Sequence, residues 1–321
     1  MGVRTKIAGR LVAACFTLAL TAVQAQQPIR LNVGFAPGGS VDVLGRLIAE
    51  RMRDALGRPV LVENKAGAAG RIAVESTRTA APDGSTLMLV PNGPMTLFPW
   101  IFKGLSFDPT RDFTPIALVS MVDVVLSVGP ATPARSVAQL RDWMRANPAQ
   151  ASYGSAGTGT VQHFVGVAFS QATGIPMQHI PYKGSVLAVK DVMSGQLPMT
   201  VSTTVEVVEL HRAGKVTVIA VAGARRSPFL PDVPTFRESG VDVELASWFA
   251  IYAPAGLPPA LVQSYNSAAV AAVADPKVRE AMAKFGLAAM SSTPAELAQM
   301  QARDLKAWES VVRASGFTPV D

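Results

Sequence analysis

Two glycine-rich loops carry the residues best suited to chemistry in this chain. The first is Phe35-Ala36-Pro37-Gly38-Gly39-Ser40-Val41-Asp42, after the apolar run Leu31-Asn32-Val33-Gly34; the second is Tyr153-Gly154-Ser155-Ala156-Gly157-Thr158-Gly159-Thr160. Each stands where a strand is expected to turn into a helix, so that exposed backbone N–H groups and the partial positive charge of the helix start favour an anion. Gly38, Gly39 and Ser40 would present N–H groups, with Pro37 fixing the approach; alternatively Ser40 is an ordinary N-cap in a tight turn. Gly157 and the hydroxyls of Ser155, Thr158 and Thr160 repeat the same chemistry. Neither loop has the lysine of a phosphate loop or a nucleophile with a base nearby in sequence. The pattern suits holding a small acid, not transforming it.

The neighbours of the loops have open roles. Asp42 lies in the first turn of its helix, where the macrodipole favours a carboxylate; it could also pin the Gly38–Gly39 turn or meet a ligand ammonium. His163 sits early in the next loop's helix, to donate to an anion or merely to cap. Tyr182-Lys183-Gly184-Ser185 follows a strand, and Tyr182 and Ser185 could close a third side of a cleft, with Lys183 otherwise a solvated charge. His179 and His211 have no partner at metal-ligand spacing, so neither a metal nor a cofactor is expected. Gly154-Ser155-Ala156-Gly157 is not a nucleophile elbow, and Gly157-Thr158-Gly159 lacks the third glycine and later acidic residue of a dinucleotide fingerprint. The chain is therefore expected not to be an enzyme. A hydrolase or lyase acting on a small acid stays as the alternative, because triad members meet in space and not in sequence.

Positioning such loops takes an α/β framework. Strand-like runs at Leu31–Phe35, Val60–Glu63 and Thr86–Val90 alternate with helices from Val41 to Leu56 and from Arg71 to Ala80. Leu44, Leu47, Ile48 and Met52 share one face of the first helix. A second unit starts near Val124–Val128. Ser136 with Gln139 reads as a capping box, and strands near 151–153, 178–182, 199–202 and 216–221 alternate with helices near 160–173, 185–194 and 205–212. Trp248–Ala253 is a further strand before terminal helices, one of them opened by Thr293-Pro294-Ala295-Glu296. The expected fold is a two-lobed α/β binding protein. Each lobe is a mainly parallel sheet flanked by helices, and the ligand cleft lies between them at the carboxyl ends of strands. The lobes would span 26–124 with a return over 246–321, and 125–245.

Composition narrows the setting. Arg4, Lys6 and Arg10 precede a mostly apolar Leu11–Val23, and Val23-Gln24-Ala25 fits small-x-small cleavage, so residues 1–25 read as an export signal with a mature start at Gln26. Such a stretch falls short of the about 20 residues that span a bilayer. Val12-Ala13-Ala14-Cys15 loosely resembles a lipoprotein site, but Arg10 leaves almost no apolar run before it. Cys15 is the only cysteine, which excludes disulfides and thiolate chemistry from the mature chain. Removing the three leader cations lowers the formal charge from +6 to +3, and without a Lys/Arg run nucleic acid is not an expected partner.

Several motifs occur in one order: Pro37-Gly38-Gly39-Ser40-Val41-Asp42, Val62-Glu63-Asn64-Lys65-Ala66-Gly67-Ala68, Ala81-Pro82-Asp83-Gly84-Ser85-Thr86-Leu87, Asp112-Phe113-Thr114-Pro115, Tyr182-Lys183-Gly184, Pro231-Asp232-Val233-Pro234-Thr235, Trp248-Phe249 and Ala253-Pro254-Ala255-Gly256. The set resembles the Bug family (Bordetella uptake gene products), substrate-binding components of tripartite tricarboxylate transporters. The resemblance implies a periplasmic receptor, monomeric, whose lobes close by a hinge on a small carboxylate (a di- or tricarboxylate, an amino acid or an aromatic acid) held by the loops at 37–42 and 155–160. It implies a two-component membrane permease as partner; a receptor sensing a small acid for a signalling partner would use the same pocket. Two segments depart from the family pattern: Gly70-Arg71-Ile72-Ala73, and Ser202-Thr203-Thr204 after Pro198-Met199. Arg71 could supply a fork for a second ligand carboxylate, or be a surface helix residue.

Overall fold

The computed structural model describes residues 27–320; the expected export signal and its expected cleavage after Ala25 lie outside them. Two sheets form. The first contains β1 (Ile29–Val33), β2 (Val60–Asn64), β3 (Thr86–Pro91), β4 (Phe113–Val122), β10 (Ser247–Pro254) and β11 (Leu287–Ala289), in the order β11-β4-β10-β3-β1-β2. The second contains β5 (Val124–Val128), β6 (Ser152–Ser155), β7 (Gln178–Pro181), β8 (Met199–Thr203) and β9 (Thr217–Val221), in the order β7-β6-β8-β5-β9.

The α/β class and two-sheet plan match the expectation, but the sheets are mixed and not mainly parallel. β1 pairs parallel with β2 and β3, and β6 with β7 and β8, as right for strands joined through helices. β10 runs antiparallel to β3 and β4, β11 to β4, and β5 to β8 and β9. The physical reason lies in the crossings. β4 passes into β5 with only Asp123 between them, and β10 is the strand on which the chain comes back. These connecting strands are not parts of βαβ units and so escape the parallel rule. β4 had no counterpart in the sequence pattern, because Pro115 interrupts it. The ladder accommodates that proline opposite Tyr252, at a register shift between Ile251 and Tyr252.

Helices follow the apolar periodicity. In α1 (Ser40–Leu56), Leu44, Ile48 and Met52 are fully buried, Leu47 only partly, and the helix stops at Gly57 with φ 62°. Ser136 Oγ accepts from Gln139 N at 3.2 Å ahead of α4 (Val137–Ala146), while Gln139 Oε1 reaches past the cap to Arg135 N at 2.7 Å. The remaining helices are α2 (Arg71–Arg78), α3 (Phe98–Ile101), α5 (Val161–Thr173), α6 (Ser185–Met193), α7 (Thr204–Arg212), α8 (Pro259–Ala274), α9 (Pro276–Lys284) and α10 (Pro294–Ala314). Thr293 and Glu296 make the full capping box at the start of α10.

One apolar core crosses between the sheets, from Met88, Val90, Trp248 and Tyr252 to Leu126, Tyr153, Phe164 and Met199. α10 packs along β4, and its Trp308 meets Phe164 of α5 edge to face at 5.7 Å. The terminal helix thus touches both halves. Among the described residues no helix is long and apolar enough to cross a membrane.

Candidate functional site

The loops that follow β1 and β6 meet at a cleft between the sheets. Three helix starts face it: Gly39, Ser40 and Val41 of α1; Thr160, Val161 and Gln162 of α5; Gly184, Ser185 and Val186 of α6. The first N–H groups of a helix have no partner within it, so the cleft gathers donors and partial positive charge. Phe35, Phe98 and Phe249, with Pro91 and Pro94, supply apolar walls. Among the described residues Glu206 is the only charged side chain of the lining.

The first loop is held from behind by Asp42. Its carboxylate accepts from Gly38 N at 2.9 Å, from Asn64 Nδ2 at 2.9 Å and from Arg46 Nε at 3.0 Å. Gly38 takes φ 82°, which glycine adopts without strain. Burial would push the Asp42 carboxyl upward, but the bonds from Arg46, Gly38 and Asn64 outweigh it and hold it below the usual value. Of the roles open to Asp42, pinning the turn is the one the contacts describe, and neither it nor Gly38 lines the cleft.

The second loop is tied internally. Thr160 Oγ1 donates to Gly157 O at 2.8 Å and accepts from His163 N at 3.2 Å, capping α5. His163 turns inward: Gly159 N donates to its Nδ1 at 3.2 Å, which places the ring proton on Nε2, and the ring stacks on His179 at 3.9 Å. Burial pushes His163 down to about 4 and, with His163 beside it, His179 down to about 3. Ser155 Oγ lies 2.7 Å from His179 Nε2. This hydroxyl–imidazole pair has no carboxylate among its hydrogen-bond partners, and neither member lines the cleft. Gly157 and Thr158 also stay outside the lining.

Of the third segment only part faces the cleft. Ser185 is there, buried at the first position of α6. Tyr182 turns away, its hydroxyl donating to Asp191 Oδ2 at 2.6 Å; burial and that carboxylate push it up to about 12. Arg71 is placed outside the lining, its guanidinium 4.1 Å from the centroid of Phe102 and its Nε near Ala68 O. That arrangement matches a helix-surface cation more than a fork aimed at a ligand.

The sequence pattern passed over Glu206 and the aromatic walls. Glu206 stands at the third position of α7, with Thr203 as its cap: Thr203 N and Oγ1 donate to Oε2 at 2.9 and 2.6 Å. Its Oε1 accepts from Ser40 N of α1 at 3.1 Å. Burial pushes the carboxyl above its usual value, and the bonds from Thr203 and Ser40 oppose that shift. The capping-box spacing Thr203-x-x-Glu206 was readable; the meeting with Ser40, 166 residues away, was not. Phe35, Phe98 and Phe249 come from three different stretches, and only the fold unites them.

The chain matches the tripartite tricarboxylate transporter family receptor over residues 44–317. Protein BugT of Bordetella pertussis is 32% identical over 292 residues, covering 90% of each chain. Among solved structures, R. palustris Rpa4515 with adipate is similar at TM-score 0.88 and 29% identity, covering 93% of this chain and 100% of that one. MatC from Rhodopseudomonas palustris with bound malate is similar at TM-score 0.85 and 29% identity, covering 89% and 98%. By family match and by relatives of nearly full length, this chain belongs to the receptor family of the tripartite tricarboxylate transporters.

Proposed function

We propose that this chain is an exported receptor that captures a small carboxylate between its two sheets and delivers it, unchanged, to the two-component membrane permease of a tripartite tricarboxylate transporter. The observation that carries this reading is the convergence of the α1, α5 and α6 starts on one cleft with apolar walls. Adipate and malate, bound by two similar proteins, are small carboxylates and support the same class of ligand. The lobes are 26–124 with 246–321, and 125–245. Gly39, Ser40, Thr160 and Ser185 contact the ligand, with Val161 and Gln162 adding backbone donors. Gly38, Asp42, Ser155, Gly157, Thr158 and His163 keep the loops in shape, Tyr182 anchors the segment before α6, and Arg71 braces the lobe-one surface. The mature protein works as a periplasmic monomer starting at Gln26 and turns nothing over.

A thermal-shift screen of carboxylates on the mature protein, followed by calorimetry, tests the core of this reading. A true ligand at a hundred times its Kd adds about 2.7 kcal/mol of stability. No response to any carboxylate sinks the reading, and turnover of an ester or keto acid by the purified protein replaces it with an enzyme. N-terminal sequencing of the periplasmic fraction checks the start at Gln26, and light scattering checks the monomer.

A further inference from the structure

Glu206 gives the cleft a polarity that a general carboxylate receptor does not need. Its partners are all donors: Ser40 N from one lobe, Thr203 N and Oγ1 from its own. The Ser40 hydroxyl is a further donor to the same carboxylate. The side chain is enclosed by protein yet its residue keeps some open surface, and it belongs to the cleft lining. The start of α1 therefore already holds a carboxylate, the chain's own. The starts of α5 and α6 remain for a ligand carboxylate.

That count fixes the balance of charge. A ligand carboxylate placed at α5 and α6 would share the cleft with Glu206, and among the described residues no lysine, arginine or histidine lines it. With Glu206 ionised beside its donors, a ligand carboxylate makes two anions that repel in a low-dielectric cleft, and a second ligand carboxylate would make three. A ligand cation beside Glu206 relieves the repulsion. The other walls, Phe35, Phe98 and Phe249, ask for an apolar body. Resting on the carboxylate-receptor reading above, we propose that the ligand is a zwitterionic amino monocarboxylate with an apolar side chain: its ammonium donates to Glu206, its single carboxylate lies at the starts of α5 and α6, and its body packs on the three phenylalanines. Glu206 is then the specificity-determining residue, standing in for the second carboxylate of a dicarboxylate ligand.

Calorimetry with two matched trios tests this on the wild-type mature protein: L-leucine, 4-methylpentanoate and isobutylmalonate, and L-phenylalanine, 3-phenylpropanoate and benzylmalonate. Within a trio only the group on Cα changes, from ammonium to hydrogen to carboxylate. The proteinogenic amino acids, adipate and malate complete the panel. At least one amino acid is expected to bind ten times more tightly, about 1.4 kcal/mol, than its deaminated and dicarboxylate partners. Glu206→Gln is expected to bring an amino acid within threefold of its deaminated partner. An alkanoate or dicarboxylate that binds as tightly as every amino acid overturns the proposal, and so does a Glu206→Gln protein that keeps the tenfold preference. Binding of adipate or malate without any amino acid defeats this proposal and leaves the receptor reading standing; silence across the whole panel defeats both.

Discussion

The backbone N–H of Ser40 donates to Oε1 of Glu206 at 3.1 Å, so the start of one lobe's first helix is capped by a carboxylate from the other lobe. The same carboxylate closes the capping box of α7 through Thr203. One side chain thus stabilises a helix start and fastens the two halves of the cleft together.

Glu206→Ala removes the acceptor for three donors, two of them backbone N–H groups. Loss of a cap and of hydrogen bonds to a charged group costs about 1–3 kcal/mol, which urea unfolding followed by circular dichroism measures. Small-angle scattering of the empty protein should show a larger radius of gyration, because the fastening across the cleft has gone. An unchanged urea midpoint and radius would show that Ser40 and Thr203 find water equally good.

Gly159 occupies a tight place between the halves, with φ 86° and the position of a Cβ only 2.4 Å from Ile101 Cδ1 and 3.3 Å from the Phe102 ring. Ile101 can shift its terminal methyl, but the left-handed backbone cannot be relieved in the same way. Gly159→Ala is therefore expected to cost about 1–3 kcal/mol, from strain and from pushing the lobes apart. Melting curves check the first effect. Weaker binding of whichever carboxylate the screen finds checks the second, since the loop carrying Thr160 moves with Gly159.

Asp42 is expected to matter through the loop it holds. Asp42→Ala strips the acceptor from Gly38, Arg46 and Asn64, bonds to a buried charge that contribute about 1.5–3 kcal/mol each in favourable cases. Because the exposed Arg46 partner recovers water, a total near 2–4 kcal/mol is the expected loss by urea titration. Asp42→Asn retains one acceptor oxygen and should fall between the two. Equal stability of all three proteins would remove the pinning role.

Much of this fold was legible because the signals are local. The Leu44–Ile48–Met52 stripe, the Thr293–Glu296 box and the two glycine loops each express their chemistry within a turn or two of chain. β4 was hidden by Pro115, which sits at an irregularity where β4 carries one extra residue opposite a strand from the far end of the sequence. The antiparallel return of β10 has no local signature at all. At the site the same division holds: the loops were readable and Ser40, Thr160 and Ser185 do face the cleft, whereas Asp42 and His163 support from behind and Tyr182 bonds Asp191. Glu206 and the three phenylalanines depend on contacts between segments far apart in sequence, which no periodicity reveals.

The stacked pair His163 and His179 should make the protein acid-sensitive. Burial holds His163 at about 4 and His179 at about 3, against 6.5 for the unfolded chain. Between pH 6.5 and those values the unfolded chain binds protons that the folded one refuses. The stability present above pH 6.5 is therefore lost as the pH falls, by about 1.4 kcal/mol per pH unit for each histidine inside its window. Asp42, whose carboxyl lies below its usual value, loses its contribution in the same direction only below about pH 4. Melting temperatures between pH 7.5 and 4.5 should fall steeply. In the double variant His163→Asn and His179→Gln, an amide oxygen or nitrogen replaces the ring atoms that meet Gly159 and Ser155, and nothing there titrates. That protein should be less stable at pH 7.5 but nearly level down to pH 5. A wild-type slope in the double variant would place the acid sensitivity elsewhere in the molecule.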